Sequence, residues 1–183
     1  MAEIRIQNIV ASAKFSEKLD LDLIAQSLDK VEYEPEQFPG AVYRLSDPKT
    51  ATLLFKSGRA NCTGAKTIED VHKTIDIISD LLKNLGIIVN KDKDIVIQNI
   101  VATADLEGEL NLNEVAVGLG LENVEYEPEQ FPGLVYRLDD PKVALLLFSS
   151  GKMVCAGARN FEDISRAVEE IVDQLTSRGL LQK

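Results

Sequence analysis

The sequence predicts an α+β fold made of two tandem repeats, and three observations support this. Residues 31–66 and 124–159 are identical at 26 of 36 positions, so the chain is a tandem duplication. Each repeat has more strand-like than helical segments. The two helical segments of each repeat carry one apolar stripe each, so they can cover only one face of a sheet. We divide the chain into a first repeat at 1–90 and a second repeat at 91–183.

Each repeat opens with a predicted strand. Residues 4–11 are β-rich and apolar at odd and even positions, which predicts a strand covered on both faces, and residues 97–102 repeat Ile-Gln-Asn-Ile-Val-Ala. A short amphipathic helix follows in both repeats. The residues at helical spacing that predict it are Leu21, Ile24, Ala25 and Leu28, and then Leu112, Val115, Ala116 and Leu119.

A nine-residue phrase, Glu-Tyr-Glu-Pro-Glu-Gln-Phe-Pro-Gly, comes next, at 32–40 and again at 125–133. We call these segments the first and second acidic loops. Their Pro-Gly pairs predict type II turns. Phe38 precedes a proline, which favours an extended backbone and places its ring at a turn, and Phe131 repeats this arrangement. A ring folded under its own loop is the alternative, but duplication at matched positions favours a function.

The rest of each repeat is a strand meander and a long helix. In the first repeat the strands are 41–45, 50–55 and 59–65, and a one-sided helix follows between a cap at Thr67 and a stop at Gly86. The second copy of this helix runs from Asn160 to Gly179. Its predicted buried stripe is Phe161, Ile164, Val168, Ile171 and Leu175.

Charge is distributed unevenly along the chain. The formal net charge is −10, which alone argues against a nucleic-acid partner. Residues 41–66 carry five basic residues and one acid, and residues 134–159 carry four basic residues and two acids. These two segments are therefore positive by six charges, and the remainder carries −16. We interpret these two segments as a part of the surface that suits a polyanion. The alternative is that their basic residues are ordinary solvated strand ends.

Residue types disfavour several classes of function. His72 is the only histidine, which argues against multi-imidazole metal sites and histidine-based triads. Cys62 and Cys155 lack metal-type spacing and are expected to be free buried thiols. The sequence shows no nucleophile with a base, no paired buried carboxylates and no phosphate loop. We therefore expect that the protein is not an enzyme and binds no cofactor or metal. With no apolar span or signal-peptide layout, we expect an intracellular protein.

Five motifs occur in order along the chain. They are Ile-Gln-Asn-Ile-Val-Ala, the nine-residue phrase, Tyr-Arg-Leu before Asp-Pro-Lys, Leu-Leu-Phe with Ser-Gly, and Thr-Gly-Ala-Lys. All but the last, which becomes Ala-Gly-Ala-Arg, occur twice. The set covers almost the full chain and resembles the TATA-box-binding protein family, archaeal type, in its duplicated core. The resemblance implies a ten-stranded curved antiparallel sheet, a saddle, whose concave face lies on the DNA minor groove, with four helices on the convex face.

The resemblance also implies three sets of DNA-binding residues. The minor-groove contacts, which combine central donors with an apolar floor, are Asn8, Val10, Leu53, Asn61, Thr63, Asn99, Val101, Leu146 and Val154. The wedges that enter base steps and bend the duplex are Phe38, Phe55, Phe131 and Phe148. The phosphate contacts are Arg44, Ser57, Arg59, Lys66, Arg137, Ser150, Lys152 and Arg159. Two departures, Ala156 opposite Thr63 and Val154 opposite Asn61, weaken strict two-fold equivalence.

The implied function is that of a general transcription initiation factor that binds TATA-box promoter DNA. It recruits transcription factor B, through Glu127, Glu129 and Gln130 of the second acidic loop, and RNA polymerase. The expected location is the cytoplasm and nucleoid of an archaeal cell, or the nucleus of a eukaryotic one. Whether the free protein forms a dimer is left open by the sequence. The alternative from another class is a β-sheet protein that binds an apolar small ligand on the same concave face.

Overall fold

The duplication in the sequence is reproduced as two structural halves. The computed structural model describes residues 2–182. The first half is Asn8–Gln98, and the second half combines the described residues up to Gln7 with those from Asn99 onward. The division of the sequence into repeats at 1–90 and 91–183 stays a prediction.

The first half contains five antiparallel strands and two helices. In order along the sheet the strands are β2 (Val31–Glu32), β3 (Ala41–Ser46), β4 (Lys49–Leu54), β5 (Arg59–Ala65) and β1 (Ile4–Lys14), of which the part from Asn8 onward belongs to this half. The helices are α1 (Leu21–Ser27) and α2 (Ile68–Asn84). The meander and both helices predicted from the sequence are therefore present, with strand ends shifted by one to three residues.

The second half repeats this order. Its strands are β6 (Val96–Asp105), β11 (Lys152–Ala158), β10 (Lys142–Leu147), β9 (Leu134–Asp139) and β8 (Val124–Glu125), and its helices are α3 (Leu112–Leu119) and α4 (Phe161–Ser177). A separate two-stranded sheet joins β7 (Glu109–Leu110) to β12 (Leu181–Gln182). The sequence did not indicate this small sheet, because a two-residue strand has no periodicity to detect.

In each half, one face of the sheet is covered and the other is open, so the prediction that the strand at 4–11 is covered on both faces is wrong. In β5 the buried residues Ala60 and Cys62 alternate with Asn61 and Thr63, which are at least partly exposed, and β11 has the same alternation. The buried side packs against α2 in the first half and against α4 in the second. We call the other side the open face of each half. Period-two alternation therefore sends two different sets of side chains to core and solvent.

The long helices begin and end as the sequence predicted, with one correction. The Thr67 hydroxyl accepts a hydrogen bond from the Asp70 backbone N–H at 3.0 Å, and the Asn160 side chain caps α4 in the same way. Phe161 was predicted to lie on the buried stripe, but it is 43% exposed. It is the first residue of α4, and burial of this helix begins one turn later, at Ile164.

The two cysteines lie under the sheet, as predicted. Cys62 and Cys155 are free and buried on the helix-covered face. Burial raises the pKa of both thiols, that of Cys155 to about 11, because the thiolate is poorly solvated there. His72 is exposed on α2. Within residues 2–182, no helix is long and apolar enough to cross a membrane, and no three His, Cys, Asp or Glu side chains are placed to hold a metal.

Candidate nucleic-acid interface

The nine predicted minor-groove residues all lie on the open faces. Asn61 is exposed and the other eight are half-buried, although the residues that alternate with them on the same strands are core residues. Five of the nine are apolar, and they are Val10, Leu53, Val101, Leu146 and Val154. Each half thus keeps an apolar floor within reach of solvent, which monomeric proteins usually bury or use for binding.

Strand pairing aligns these residues into rows. In the first half, pairing places Leu53 beside Val42 on one side and beside Asn61 on the other, and Asn61 beside Ser12. The equivalent row of the second half is Val135, Leu146, Val154 and Thr103. Both floors therefore have the same layout, in which a valine and a leucine are followed by a variable position and a hydroxyl.

A bulge in each half fixes the central asparagine. The pairing of β1 with β5 shifts by one residue, so that Thr63 and Gly64 lie opposite Val10. There the Gly64 N–H donates to Asn8 Oδ1 at 2.6 Å. In the second half the Gly157 N–H donates to Asn99 Oδ1 at 2.7 Å. Because the amide oxygen accepts this backbone N–H, the orientation of each amide is fixed, and with it the orientation of the Nδ2 donor group.

The two asparagines differ in what their Nδ2 groups contact. Asn8 Nδ2 donates to the Thr63 hydroxyl at 3.1 Å. In the second half Ala156 occupies the position of Thr63, and an alanine offers no acceptor there. The departure noted in the sequence therefore changes a hydrogen bond. The first half presents an amide coupled to a hydroxyl, whereas the second half presents an amide that is held only at its oxygen.

The four phenylalanines that the resemblance assigns as wedges form two pairs. The ring centroids of Phe38 and Phe55 are 5.9 Å apart at 66°, and those of Phe131 and Phe148 are 5.9 Å apart at 72°. These are edge-to-face contacts, which orient the rings. Phe38 and Phe131 are each 40% exposed, so the alternative of a ring folded fully under its own loop is not observed.

The type II turn predicted for the Pro-Gly pairs is wrong. A type II turn needs a positive φ at the glycine, and neither Gly40 nor Gly133 has one. A Cβ at Gly40 would lie 2.8 Å from Phe38 Cε2 and 2.9 Å from Phe55 Cε1, and Gly133 is enclosed in the same way. Glycine is needed there because the two rings leave no room for a side chain.

The predicted phosphate-contacting residues are all exposed. Two of the cations form ion pairs within their own half: Arg44 Nε lies 3.8 Å from Glu32 Oε1, and Arg137 Nε lies 3.5 Å from Glu125 Oε1. Exposed pairs of this kind contribute little to stability, so a phosphate can replace the carboxylate at small cost. The remaining members of the set are Ser57, Arg59, Lys66, Ser150, Lys152 and Arg159.

Both acidic loops are compact turns with outward-facing carboxylates. The Glu127 carbonyl accepts hydrogen bonds from the backbone N–H groups of Gln130 and Phe131, at 2.9 and 3.0 Å. The Glu34 carbonyl makes the same two bonds in the first half. The side chains of Glu127, Glu129 and Gln130 are exposed, which leaves them available to a partner.

Sequence reasoning missed two further polar contacts on the interface strands. Gln7 Nε2 donates to the Thr103 hydroxyl at 3.0 Å, and Gln98 Nε2 donates to the Ser12 hydroxyl at 3.0 Å. Both glutamines precede the central asparagine in the repeated Ile-Gln-Asn motif, and that repetition was the available signal. The bulges could also have been found, because an isolated glycine within a strand pattern is typical of a bulge.

This architecture defines a class, that of duplicated α+β proteins whose antiparallel sheet carries helices on one face and keeps an apolar, cation-flanked surface on the other. Comparison with known proteins identifies the family. The model of the family described as "Transcription factor TFIID (or TATA-binding protein, TBP)" matches residues 3–85 and 94–177. The chain belongs to this family.

Individual relatives agree over nearly the whole length. The chain is 61% identical to the TATA-box-binding protein of Thermoplasma volcanium over 98% of this chain and 97% of that protein. It is 56% identical to the TATA-box-binding protein of Haloarcula marismortui, over 97% and 96%. The solved structure of Methanococcus jannaschii TBP superposes with a TM-score of 0.88 at 53% identity, covering 96% of this chain and 99% of that one. The predicted fold, two repeats with ten antiparallel sheet strands and four helices, is confirmed.

Replacing the bulge glycines tests how much backbone strain and close contact restrict the residue type at the two bulges. Gly64 and Gly157 both have φ of +99°, where an L side chain is strained, so Gly64→Ala and Gly157→Ala should each lower the free energy of unfolding, by roughly 1–3 kcal/mol. Gly64→Ala should cost more, because its Cβ would lie 3.1 Å from the Lys49 carbonyl oxygen, whereas the nearest atom to a Cβ at Gly157 is 3.8 Å away. Urea titration measures both. Equal costs would show that contact plays no part.

Proposed function

We propose that this protein is a general transcription initiation factor. It binds the minor groove of A·T-rich, TATA-box promoter DNA with the open faces of its two halves. The observation that carries the proposal is an asparagine at the centre of each apolar floor, Asn8 in one half and Asn99 in the other. The amide oxygen of each accepts a hydrogen bond from a backbone N–H, which fixes the side chain. Family membership and the names of the relatives support the same assignment.

The chemistry of the minor groove fits this floor. Both orientations of an A·T pair present only acceptors there, A N3 and T O2, whereas G·C adds the guanine N2 amine as a donor. A few fixed donors on an apolar surface can therefore bind A·T in either orientation. Guanine would place an unpaired amine against Val10, Leu53 and their counterparts, at a cost of roughly 1–3 kcal/mol per base pair.

The cations position the duplex without reading its sequence. Residues such as Arg44 and Arg137 are exposed beside the floor and suit phosphate oxygens. Since the rest of the chain is strongly acidic, binding should weaken with salt through a modest number of released counterions.

A small-ligand-binding protein is the second candidate, and the second half has a cavity on its open side of ≈ 700 Å³. Arg5, Asp105 and Lys152 contribute to the lining of this cavity. Ligand pockets are mostly enclosed and apolar, with few polar groups. The lining of three carboxylates and two cations does not suit an apolar small ligand.

A binding comparison on three duplexes tests the proposal. Fluorescence anisotropy should show tight binding to a TATA duplex and at least roughly ten-fold weaker binding when two central A·T pairs become G·C. A third duplex with inosine·C at those two pairs lacks the guanine N2 amine and should recover most of the affinity. Equal binding to the TATA and G·C duplexes would contradict readout by the minor-groove floor.

We further propose that the two phenylalanine pairs are wedges that unstack a base step and bend the duplex, for which this family is the standard example. Each pair is already oriented by an edge-to-face contact, and its rings lie against a glycine, at a position where a Cβ would collide with them. An oriented ring loses little conformational freedom when it enters a base step, so the geometry suits insertion.

Removing one pair should reduce the bend. Phe131→Ala with Phe148→Ala should cost roughly 3–6 kcal/mol of binding, since two aromatic anchors are lost while the floor remains. Energy transfer between dyes at the duplex ends should report a smaller bend. Phe161→Ala is the control, because that ring is also about two-fifths exposed but lies on α4. An unchanged bend in a folded double variant would exclude the wedge role.

Recruitment is the third part of the proposal. Transcription factor B docks on the second acidic loop through Glu127, Glu129 and Gln130, and RNA polymerase follows. The loop is held by two backbone hydrogen bonds and directs its carboxylates outward, which suits a basic partner surface.

The identical first loop provides a matched control for this docking. Glu127→Lys with Glu129→Lys should weaken assembly of the DNA–factor B complex more than roughly ten-fold, because like charges then face each other. Glu34→Lys with Glu36→Lys makes the same change in the first half and should leave assembly intact. Gel-shift titration with factor B measures both. If only the first-loop variant lost assembly, the contact would lie on the first acidic loop and the proposed docking on the second loop would be wrong.

A further inference from the structure

The row of residues next to each phenylalanine pair differs in charge between the halves. In the first half, the Phe55 N–H donates to the Arg59 carbonyl and the Cα of Arg59 pairs with that of Lys14. In the second half, the Phe148 N–H donates to the Lys152 carbonyl and the Cα of Lys152 pairs with that of Asp105. A second cation in one row is thus replaced by a carboxylate in the other.

Both rows lie on the open faces. Lys14 follows Ser12 by two residues on β1, and Asp105 follows Thr103 by two residues on β6, so period-two alternation places each on the same side as the floor. Arg59 and Lys152 belong to the predicted phosphate contacts. Lys14 and Asp105 therefore lie directly beside a phosphate-contacting residue, one in each half.

The surroundings increase the difference. Lys14 Nζ lies 3.0 Å from Glu17, which reduces the local positive charge only in part, because Arg59 remains alongside. In the second half the cavity beside Phe148 is lined by Glu3, Asp105 and Glu107 against two cations, Arg5 and Lys152. The carboxylate of Asp105 is fixed by the Glu107 N–H at 2.9 Å.

We infer that Lys14 and Asp105 give the protein a preferred direction on DNA whose two flanks differ in electrostatic potential. The first half takes the flank with the more negative minor groove. This inference rests on the proposed function. A·T tracts have a narrow minor groove with enhanced negative potential, which attracts cations. The floor supplies little direction of its own, because A·T and T·A present the same acceptors.

Directional cleavage on an asymmetric duplex tests the inference. The duplex has a palindromic TATA core with an A-tract on one flank and mixed sequence on the other. A chemical nuclease is attached at Ser149→Cys, which is exposed in the second half, while the native thiols are buried and stay unlabelled. Cleavage should favour the mixed flank by roughly three-fold at low salt, the scale of one or two exposed charge contacts, and this bias should fall as salt rises.

Exchange of the two charges provides the decisive variant. Lys14→Asp with Asp105→Lys leaves the net charge unchanged and should reverse the bias, and Asp105→Lys alone should remove most of it. Lys83→Asp with Asp173→Lys moves the same charges between α2 and α4 and should leave the bias as in the parent protein. Moving the A-tract to the other flank should move the cleavage to the flank that the A-tract leaves, because that flank then has the mixed sequence.

The outcomes separate the two proposals. If the parent protein does not bind the TATA core, the proposed function fails and this inference fails with it. If it binds with equal cleavage on both flanks, or if the charge exchange leaves the bias unchanged, the proposed function stands and the inference is overturned.

Discussion

One-sided coverage of the sheet is the constraint on which the rest of the structure depends. In each half the helices supply one apolar stripe, and the buried residues of β4 and β5, or of β10 and β11, are used to pack against it. The residues between them then have to face outward. Since leucine and valine occupy those outward positions, the fold keeps apolar surface open to solvent, which only a binding partner would cover.

In the proposed function, the bulges give this apolar surface the fixed donors with which it would read DNA. A flat floor of valines and leucines would attract any apolar ligand. A single extra residue in β5 and in β11 turns a backbone N–H toward an asparagine and occupies its amide oxygen. The orientation of the amide, and with it that of its Nδ2 donor group, is fixed by the backbone. In the proposed function, specificity for acceptors would depend on a backbone irregularity, whose glycine has a φ that other residues adopt only with strain.

Much of the fold could be predicted from the sequence, because duplication makes every signal appear twice. The helix cap at Thr67 and the stop near Gly86 were both predicted correctly. The failures have two physical causes, a contact between residues distant in sequence and the point at which a helix reaches the core. Gly40 was predicted to be a turn glycine. The ring of Phe55, which follows β4, instead packs beside Phe38, and the two rings fill the space that a side chain at Gly40 would need. Phe161 has the right spacing for the core, but it begins α4 before the buried stripe starts.

The departures between the halves also explain why a duplicated protein need not act symmetrically. Beneath the sheet, the hydroxyls of Thr50 and Thr74 hydrogen-bond at 3.0 Å where the second half has Val143 and Ala167, so the core tolerates a polar pair in one half and an apolar pair in the other. On the open face such exchanges have another consequence. Thr63 becomes Ala156 and Lys14 becomes Asp105, and each change alters what DNA would contact without altering strand pairing. Because the backbone is fixed by the shared core, single surface substitutions can differentiate the halves while the repeated fold is retained.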